Sequence, residues 1–336
     1  MTTATVMPAW QVTEVGPALD VMKIAETGVP PARPGQVLVR VSACALSFPD
    51  AMLTVGQYPE HPPLPFTPGI EVCGEIVGVG PGVDPLRIGE RVVGTTSLPH
   101  GGLASYAVAG DNDVLLAPPA LNDVDAAAFL VSYQTGWFGL YRRAGLRAGD
   151  VLLVHAAAGG LGSAAVQLGR AAGARVIGVV GSPAKVEFAQ RAGATTVIDR
   201  SSQDVVEAVL QATGGRGADV VYDPVGGHAF EASTQAVAME GRIVVVGFAS
   251  GQMARLATNH AVLKNYGVLG VHWGMYRTRT HDLVLRAHDD LGRLVEARAL
   301  RPMVSHELDF EQAADGIAQI GAGTTVGRLV VKIPEA

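Results

Sequence analysis

Cysteine is scarce in this chain, whose 336 residues include only Cys44 and Cys73. Two cysteines cannot build a multi-bridge disulfide framework, and they cannot supply a four-thiolate zinc site. Basic residues form no cluster, and 25 Lys and Arg against 31 Asp and Glu leave a net charge of −6. This charge pattern argues against DNA or RNA as a partner.

Long apolar runs are also missing, since none reaches the ~20 residues that span a bilayer. The first ten residues contain no basic segment followed by an apolar stretch. We therefore expect no membrane association, no signal peptide and a cytoplasmic location. The chain has neither a Gly-x-Ser-x-Gly elbow nor a Gly-Lys dipeptide, which argues against a serine hydrolase and a P-loop enzyme.

Apolar residues, in contrast, make up 48% of the chain, enough for a sizeable core, and the length predicts about two domains. The first third has β-branched segments separated by Pro and Gly. The middle third alternates apolar strands with helical segments, a pattern that requires a parallel sheet covered on both faces. The sequence thus predicts an α/β protein with a doubly wound sheet. The alternating segments are 151–156, 160–172, 175–180, 183–192, 195–198, 204–212, 218–222, 230–239 and 242–247.

A glycine-rich turn follows the first of these strands and opens the first helix. Compared with the pattern Gly-x-Gly-x-x-Gly, Ala157 replaces the first glycine, while Gly159 and Gly162 hold the other two positions. Gly159 would let a pyrophosphate approach the backbone, and Gly162 would let the helix pack closely on the strand. The helix N-terminus would add N–H groups and partial positive charge. A glycine-rich turn in another α/β protein is the alternative, but the strand–helix–strand context favours dinucleotide binding.

The second strand ends without the acid that an NAD site uses to hold the ribose 2′-hydroxyl. Its last residues lead into Gly181 and Ser182, with Lys185 just beyond, and Arg200 follows the third strand. A small turn with two cations suits a 2′-phosphate, so we expect NADP(H) as the cofactor. The alternative is that Lys185 and Arg200 are ordinary solvated charges.

Several motifs, taken together, resemble the medium-chain dehydrogenase/reductase superfamily, and specifically its zinc-free quinone oxidoreductase branch. The resemblance covers essentially the whole chain. The motifs are ACALSFPD at 43–50, GQYP at 56–59, PGIEVCG at 68–74, YQTGW at 133–137, VHAAAGGLG at 154–162, DVVYD at 219–223 and GRLV at 327–330.

The resemblance implies a Rossmann domain inserted into a GroES-like β-rich domain. We place the GroES-like substrate and catalytic domain at 1–126 and 268–336, and the NADP(H)-binding domain at 127–267. Homodimers or homotetramers are usual in the family. The resemblance also implies that further residues contact the cofactor, namely Thr135, Ala158, Gly160, Leu161, Val225, Gly247, Phe248 and Val271.

The zinc enzymes of the superfamily hold a catalytic metal at three positions that correspond here to Ser47, Ile70 and, more loosely, Val131. An aliphatic side chain cannot bind zinc, and the usual thiolate and imidazole ligands are missing. We therefore expect no metal site. Cys44 and Cys73 are interpreted as small core residues.

Hydride transfer from NADPH to an electrophilic acceptor remains as the expected chemistry, with a quinone or an α,β-unsaturated carbonyl compound as the small-molecule partner. The developing oxyanion needs a hydrogen bond or a proton. Tyr58 is the candidate donor, and Ser47 stands where this branch often has Asn. A packing role is the alternative for Tyr58. Structural hydrogen bonding is favoured for Asp50 and Glu71, and a buried imidazole for His155.

Two other functions remain open. Reductase modules of polyketide synthases share the VHAAAGG pattern, so an enoyl-thioester reductase that acts on an acyl-CoA or a carrier-linked substrate is one alternative. A non-catalytic NADPH-binding protein is the other. The sequence does not identify the physiological acceptor, because its pocket is formed by loops.

Overall fold

The computed structural model describes residues 5–334. It divides into two compact units, of which the first comprises Met1–Leu130 with Val304–Ala336 and the second Val131–Met303. Residues 1–4 and 335–336, which the predicted first domain includes, lie outside the described residues. The predicted boundary at 267/268 falls inside the strand Gly267–Gly270, and that strand pairs with its neighbour in the parallel sheet. Residues 268–303 group by their contacts with the second unit, whereas the predicted domains assign them to the first, and the predicted domain bounds stay a prediction.

The first unit is built mainly from antiparallel strands. Strands β14, β15, β3, β4, β5 and β7 form one sheet in that order, β6 pairs with β3, and β1 pairs with β2. Only β14 and β15 are parallel neighbours in this set. The strands are β1 Val6–Val12, β2 Met22–Gly28, β3 Gln36–Leu46, β4 Glu71–Val79, β5 Arg91–Thr95, β6 Tyr106–Gly110, β7 Val114–Leu116, β14 Val304–Leu308 and β15 Arg328–Lys332.

The helices of the first unit are short. They are α1 Ala18–Val21, α2 Phe48–Thr54, α3 Asp123–Ala127 and α12 Ala313–Gly321. A capping pair precedes α12, since the Asp309 amide donates to Oε1 of Gln312 at 2.9 Å. The proline-rich segment 59–68 forms no helix, because proline lacks the amide hydrogen that a helix interior needs. Ile317 of α12 and Leu46 of β3 belong to the same buried core.

The second unit is a parallel sheet whose strands run in the order β10-β9-β8-β11-β12-β13. This is the doubly wound order predicted from the alternating segments. All four residues of β8 are buried, and so are those of β11 apart from Asp219, as a sheet covered on both faces requires. The strands are β8 Val151–Val154, β9 Arg175–Val180, β10 Thr196–Asp199, β11 Ala218–Asp223, β12 Val237–Val245 and β13 Gly267–Gly270.

The helices of this unit follow the predicted alternation, with one correction. The predicted helix 230–239 ends at Ala236, because the chain from Val237 onward already pairs with β11 as part of β12. The helices are α4 Leu130–Gly136, α5 Gly160–Ala171, α6 Val186–Ala192, α7 Val205–Ala212, α8 His228–Ala236, α9 Thr258–Lys264, α10 Trp273–Arg279 and α11 His281–Glu296, with a π-helical segment Trp137–Arg143 after α4.

Candidate functional site

The strand order of the second unit reverses direction between β8 and β11. In open parallel sheets, ligands bind outside the carboxyl ends of the strands at this switch point. Almost all residues predicted to contact the cofactor follow the carboxyl ends of the parallel strands, in the loops or in the first turn of α5. They are Ala158 to Gly162 after β8, Gly181, Ser182 and Lys185 after β9, Arg200 after β10, Val225 after β11, Gly247 and Phe248 after β12, and Val271 after β13. Thr135 differs, since it is buried within α4.

The turn between β8 and α5 explains the two glycines of the motif differently. A Cβ built on Gly162 would lie 2.0 Å from the Ala156 carbonyl oxygen, so only glycine lets α5 pack on this turn. A Cβ on Gly159 would meet a single atom within 4 Å, the same oxygen at 3.3 Å. The remaining space beside Gly159 is open, at the first turn of a twelve-residue helix. This open cradle at a helix N-terminus fits a pyrophosphate.

Gly181 and Arg200 come together although 19 positions separate them. A Cβ on Gly181 would lie 3.3 Å from Nη2 of Arg200, which places the guanidinium directly over the turn after β9. Partial burial lowers the pKa of the Lys185 ammonium, and the charge of Arg200 lowers it further. Two cations therefore share one region at the end of β9, as a 2′-phosphate site would require.

The carboxylate nearest in sequence to this cation pair is engaged elsewhere. Asp199 precedes Arg200, but its Oδ1 accepts from the amide of Ser201 at 3.0 Å and from its hydroxyl at 2.8 Å. Asp199 thus caps its own turn. The two cationic donors, Lys185 and Arg200, fit a phosphate better than a ribose hydroxyl.

The loop after β11 is shaped by Asp223, which belongs to the motif DVVYD but has no predicted role of its own. Asp223 is fully buried, and its Oδ1 accepts from the amides of Val225 at 2.8 Å and Gly226 at 3.0 Å. The Val225 carbonyl in turn accepts from the Ser250 hydroxyl at 2.7 Å. Because an Asp followed by Pro and two glycines is a turn signal, the sequence pattern could have identified this residue.

His155 ends β8 next to the glycine-rich turn and is buried, as the favoured interpretation of this residue expects. Its Nε2 lies 2.9 Å from the Ser233 hydroxyl, which itself donates to the Ala229 carbonyl at 2.7 Å. Ser233 has only one hydrogen, so it accepts from Nε2–H, and this fixes the tautomer of the ring. Burial lowers the pKa of His155, while the charge of Asp223 raises it and that of Arg200 lowers it. The neutral ring links β8 to α8.

In the first unit, Ser47 and Asp50 form a hydrogen-bonded pair at the start of α2. The amide and the hydroxyl of Ser47 both donate to Oδ2 of Asp50, at 2.8 and 2.6 Å. Oδ1 of Asp50 accepts from the amides of Gly69 and Ile70 at 3.0 and 3.1 Å. Burial raises the pKa of Asp50, and these hydrogen bonds counteract the increase. Asp50 thus fastens the start of α2 to the turn before β4.

Tyr58 follows α2, and its half-buried ring packs against the core of the first unit. Glu71, the first residue of β4, forms a buried ion pair with Arg328 of β15 at 2.6 Å. This pair joins the early and late segments of the unit, which supports the structural role favoured for Glu71. Tyr58 and Ser47 lie on either side of α2 in the sequence.

The positions that the resemblance assigns to zinc ligands contain no ligand set. Ile70 packs against the core, and Val131 lies in α4. Within residues 5–334, no three His, Cys, Asp or Glu side chains are grouped so that they could hold a metal ion. Cys44 and Cys73 are both buried, and burial raises the pKa of both thiols. In the same described range, no helix has the length and apolar character needed to cross a membrane.

Two family models match the chain. Residues 33–119 match the alcohol dehydrogenase GroES-like domain, and residues 160–287 match the zinc-binding dehydrogenase family. The second matched segment contains no cysteine.

Curated relatives cover most of the chain. It is 34% identical to quinone oxidoreductase-like protein 2 homolog of Nematostella vectensis over 298 residues, which are 88% of this chain and 81% of the relative. It is also 33% identical over 310 residues to phthioceranic/hydroxyphthioceranic acid synthase of Mycobacterium tuberculosis, covering 91% of this chain but 14% of the synthase.

Two solved structures are similar to this chain over nearly its whole length. The quinone oxidoreductase of Pseudomonas syringae is 30% identical with a TM-score of 0.88, covering 98% of this chain and 100% of the other. The mycobacterial protein Rv1454c complexed with NADPH is 28% identical with a TM-score of 0.89, covering 97% and 99%.

Proposed function

The chain belongs to the quinone oxidoreductase branch of the medium-chain dehydrogenase/reductase superfamily, and on this premise we propose that it is an NADPH-dependent oxidoreductase that reduces a quinone or an α,β-unsaturated carbonyl compound without a metal. The observation that carries the proposal is the approach of Arg200 to Gly181, with Lys185 nearby and the Asp199 carboxylate hydrogen-bonded to Ser201. Relatives named quinone oxidoreductases, and one complexed with NADPH, support it.

The second unit provides the residues that would bind the cofactor. The first turn of α5 would hold the pyrophosphate, with Gly159 leaving the room that it needs. Lys185 and Arg200 would bind the 2′-phosphate. When bound, NADPH supplies a hydride that adds to an electrophilic carbon of the acceptor.

The first unit provides the groups proposed to act on the acceptor. Negative charge develops on the acceptor oxygen during reduction, and a positioned donor stabilises it. The Ser47 hydrogen is already donated to Asp50. We therefore assign the donor role to the Tyr58 hydroxyl, which can hold the oxyanion or pass it a proton.

The test is single-turnover oxidation of NADPH against a panel of acceptors that includes a quinone, a simple enone and crotonyl-CoA. We expect rapid oxidation by the quinone or the enone, and slower oxidation when NADH replaces NADPH at equal concentration. If NADPH binds but no acceptor oxidises it, the protein is a nucleotide-binding protein without this activity, and the proposal fails.

An enoyl-thioester reductase is the second candidate function. It is supported by the match of 91% of the chain to a segment of a mycobacterial acid synthase. Crotonyl-CoA in the same panel separates the two functions, because the thioester reductase should prefer it over the quinone and the simple enone.

A further inference from the structure

All four hydrogen bonds at the Asp50 carboxylate are donated to its oxygens. Asp50 is fully buried, and each of its carboxylate oxygens accepts two hydrogen bonds. Three of the four donors are backbone amides, which can only donate. The fourth is the hydroxyl of Ser47, at 2.6 Å from Oδ2. The surroundings of Asp50 are therefore arranged for the anion.

Because of this arrangement, the Ser47 hydroxyl can accept a hydrogen bond from a ligand but cannot donate one. A serine hydroxyl has one hydrogen, and that of Ser47 is donated to Asp50. Ser47 is half-buried. Its oxygen faces the Asp50 amide in a capping box, which leaves it one further lone pair and no hydrogen to offer a ligand. The neighbouring anion also polarises the O–H bond, which makes the oxygen a better acceptor. An asparagine at this position would instead present N–H groups.

We propose that Ser47 is a specificity-determining residue that accepts a hydrogen bond from a hydroxyl group on the electrophilic acceptor, so that the protein selects hydroxylated quinones or enones. The inference rests on the proposed function and on the family resemblance, which assigns Ser47 to the acceptor site. A carbonyl oxygen facing Ser47 would bring two acceptors together, whereas a ligand hydroxyl would pair with it. Ser47 would thus accept a hydrogen bond from the substrate's hydroxyl group, and Tyr58 would donate one to its carbonyl oxygen.

The experiment compares 2-hydroxymethyl-1,4-benzoquinone with 2-ethyl-1,4-benzoquinone, which are close in size and differ in the hydroxyl. Calorimetric titration of each into the NADP⁺ complex gives the ratio of the two dissociation constants without turnover. In Ser47→Ala, we expect the preference for the hydroxymethyl compound to fall by roughly three- to tenfold, as for the loss of one hydrogen bond. Ser42→Ala, a half-buried serine of β3, is the matched control and should leave the ratio unchanged.

Ser47→Asn provides a second variant if Ser47→Ala does not fold. Its N–H donors should shift the preference toward a ligand that presents only acceptors, in the direction opposite to the native serine. If the ratio is the same in wild type, Ser47→Ala and Ser47→Asn, the inference is wrong while the proposed function stands. If the wild-type NADP⁺ complex binds neither quinone and the NADPH complex reduces neither a quinone nor the simple enone, the proposed function itself has failed.

Discussion

Tyr58 is the residue to which the proposed chemistry assigns the acceptor oxyanion, and its hydroxyl can be removed without removing its ring. In Tyr58→Phe, the packing against the core should remain, so stability should change little. We expect kcat with an enone to fall by roughly 10²-fold, as for the loss of one oxyanion donor. NADPH affinity should stay constant, because the predicted cofactor contacts belong to the other unit.

Steady-state kinetics with an enone and a quinone measure this effect. The loss should be smaller with the quinone, whose reduction needs less acid catalysis. Wild-type kcat with the enzyme's best acceptor would reduce Tyr58 to a packing residue, and the proton would then come from solvent.

Lys185 and Arg200 are expected to set the preference for NADPH. Replacing either by Ala removes a charge-assisted contact with the 2′-phosphate, worth about 1.5–3 kcal/mol, so NADPH should bind about ten- to a hundredfold more weakly. NADH affinity should change little, because NADH lacks that phosphate. Fluorescence titration of both nucleotides measures the effect.

Arg175→Ala is the matched control, since Arg175 is exposed at the opposite, amino end of β9. Equal affinities for NADH and NADPH in the wild-type protein would remove the basis of this assignment.

In the turn from β8 to α5, one glycine is expected to matter for cofactor binding and another for folding. Gly159→Val should leave the fold intact, because the space beside residue 159 is open and its φ of −88° is accessible to other residues. The branched side chain would occupy the place of the pyrophosphate, so NADPH binding should be lost. Gly162→Val is the contrasting variant and should destabilise the protein, because its Cβ would overlap the Ala156 carbonyl.

Thermal unfolding and NADPH titration of both variants check this pair. A folded Gly159→Val protein with normal NADPH affinity would show that the pyrophosphate does not lie at this turn.

The contact between β8 and α8 predicts a pH dependence of stability. His155 is held neutral with a lowered pKa, whereas in the unfolded chain it titrates near ~6.5. Below that pH the unfolded state binds more protons, so this contribution to stability is full above about 6.5 and is lost as the pH falls. His155→Gln cannot take up the proton, and its amide can still donate to Ser233.

Urea unfolding of wild type and His155→Gln at pH 5.5 and 7.5 gives the comparison. The variant should lose less free energy of unfolding on acidification than the wild type. An identical loss in both proteins would show that protonation of His155 does not oppose folding.

For the whole molecule, the proposed reaction predicts independence from metal. Ser47 and Ile70 occupy two positions that correspond to zinc ligands in related enzymes, and the Ser47 hydroxyl is engaged with Asp50. We expect substoichiometric zinc by elemental analysis and unchanged turnover after dialysis against a chelator. Stoichiometric zinc together with loss of activity on chelation would contradict this. The homodimer or homotetramer expected from the family also remains a prediction.

Local sequence patterns were sufficient to predict the class of the fold and the position of the glycine-rich turn between β8 and α5. Two local patterns are compatible with few other folds. They are the alternation of apolar strands with helices, and the glycines between the first strand and the first helix. The absence of an acid near Gly181 could likewise be read directly from the chain. The family resemblance added the predicted contacts after β11, β12 and β13, none of which has a local signal of comparable strength.

Tertiary structure alone decided the features that depend on residues distant in sequence. The predicted helix continues to Met239, but Val237 already pairs with Ala218 of β11, so β12 begins where a helix was predicted. Arg200 reaches Gly181 only because β9 and β10 are neighbours in the sheet. The polarity of Ser47 is set by Asp50, whose other oxygen is held by the amides of Gly69 and Ile70. A hydroxyl can turn toward any acceptor within reach, so only the folded arrangement of donors determines where its hydrogen points.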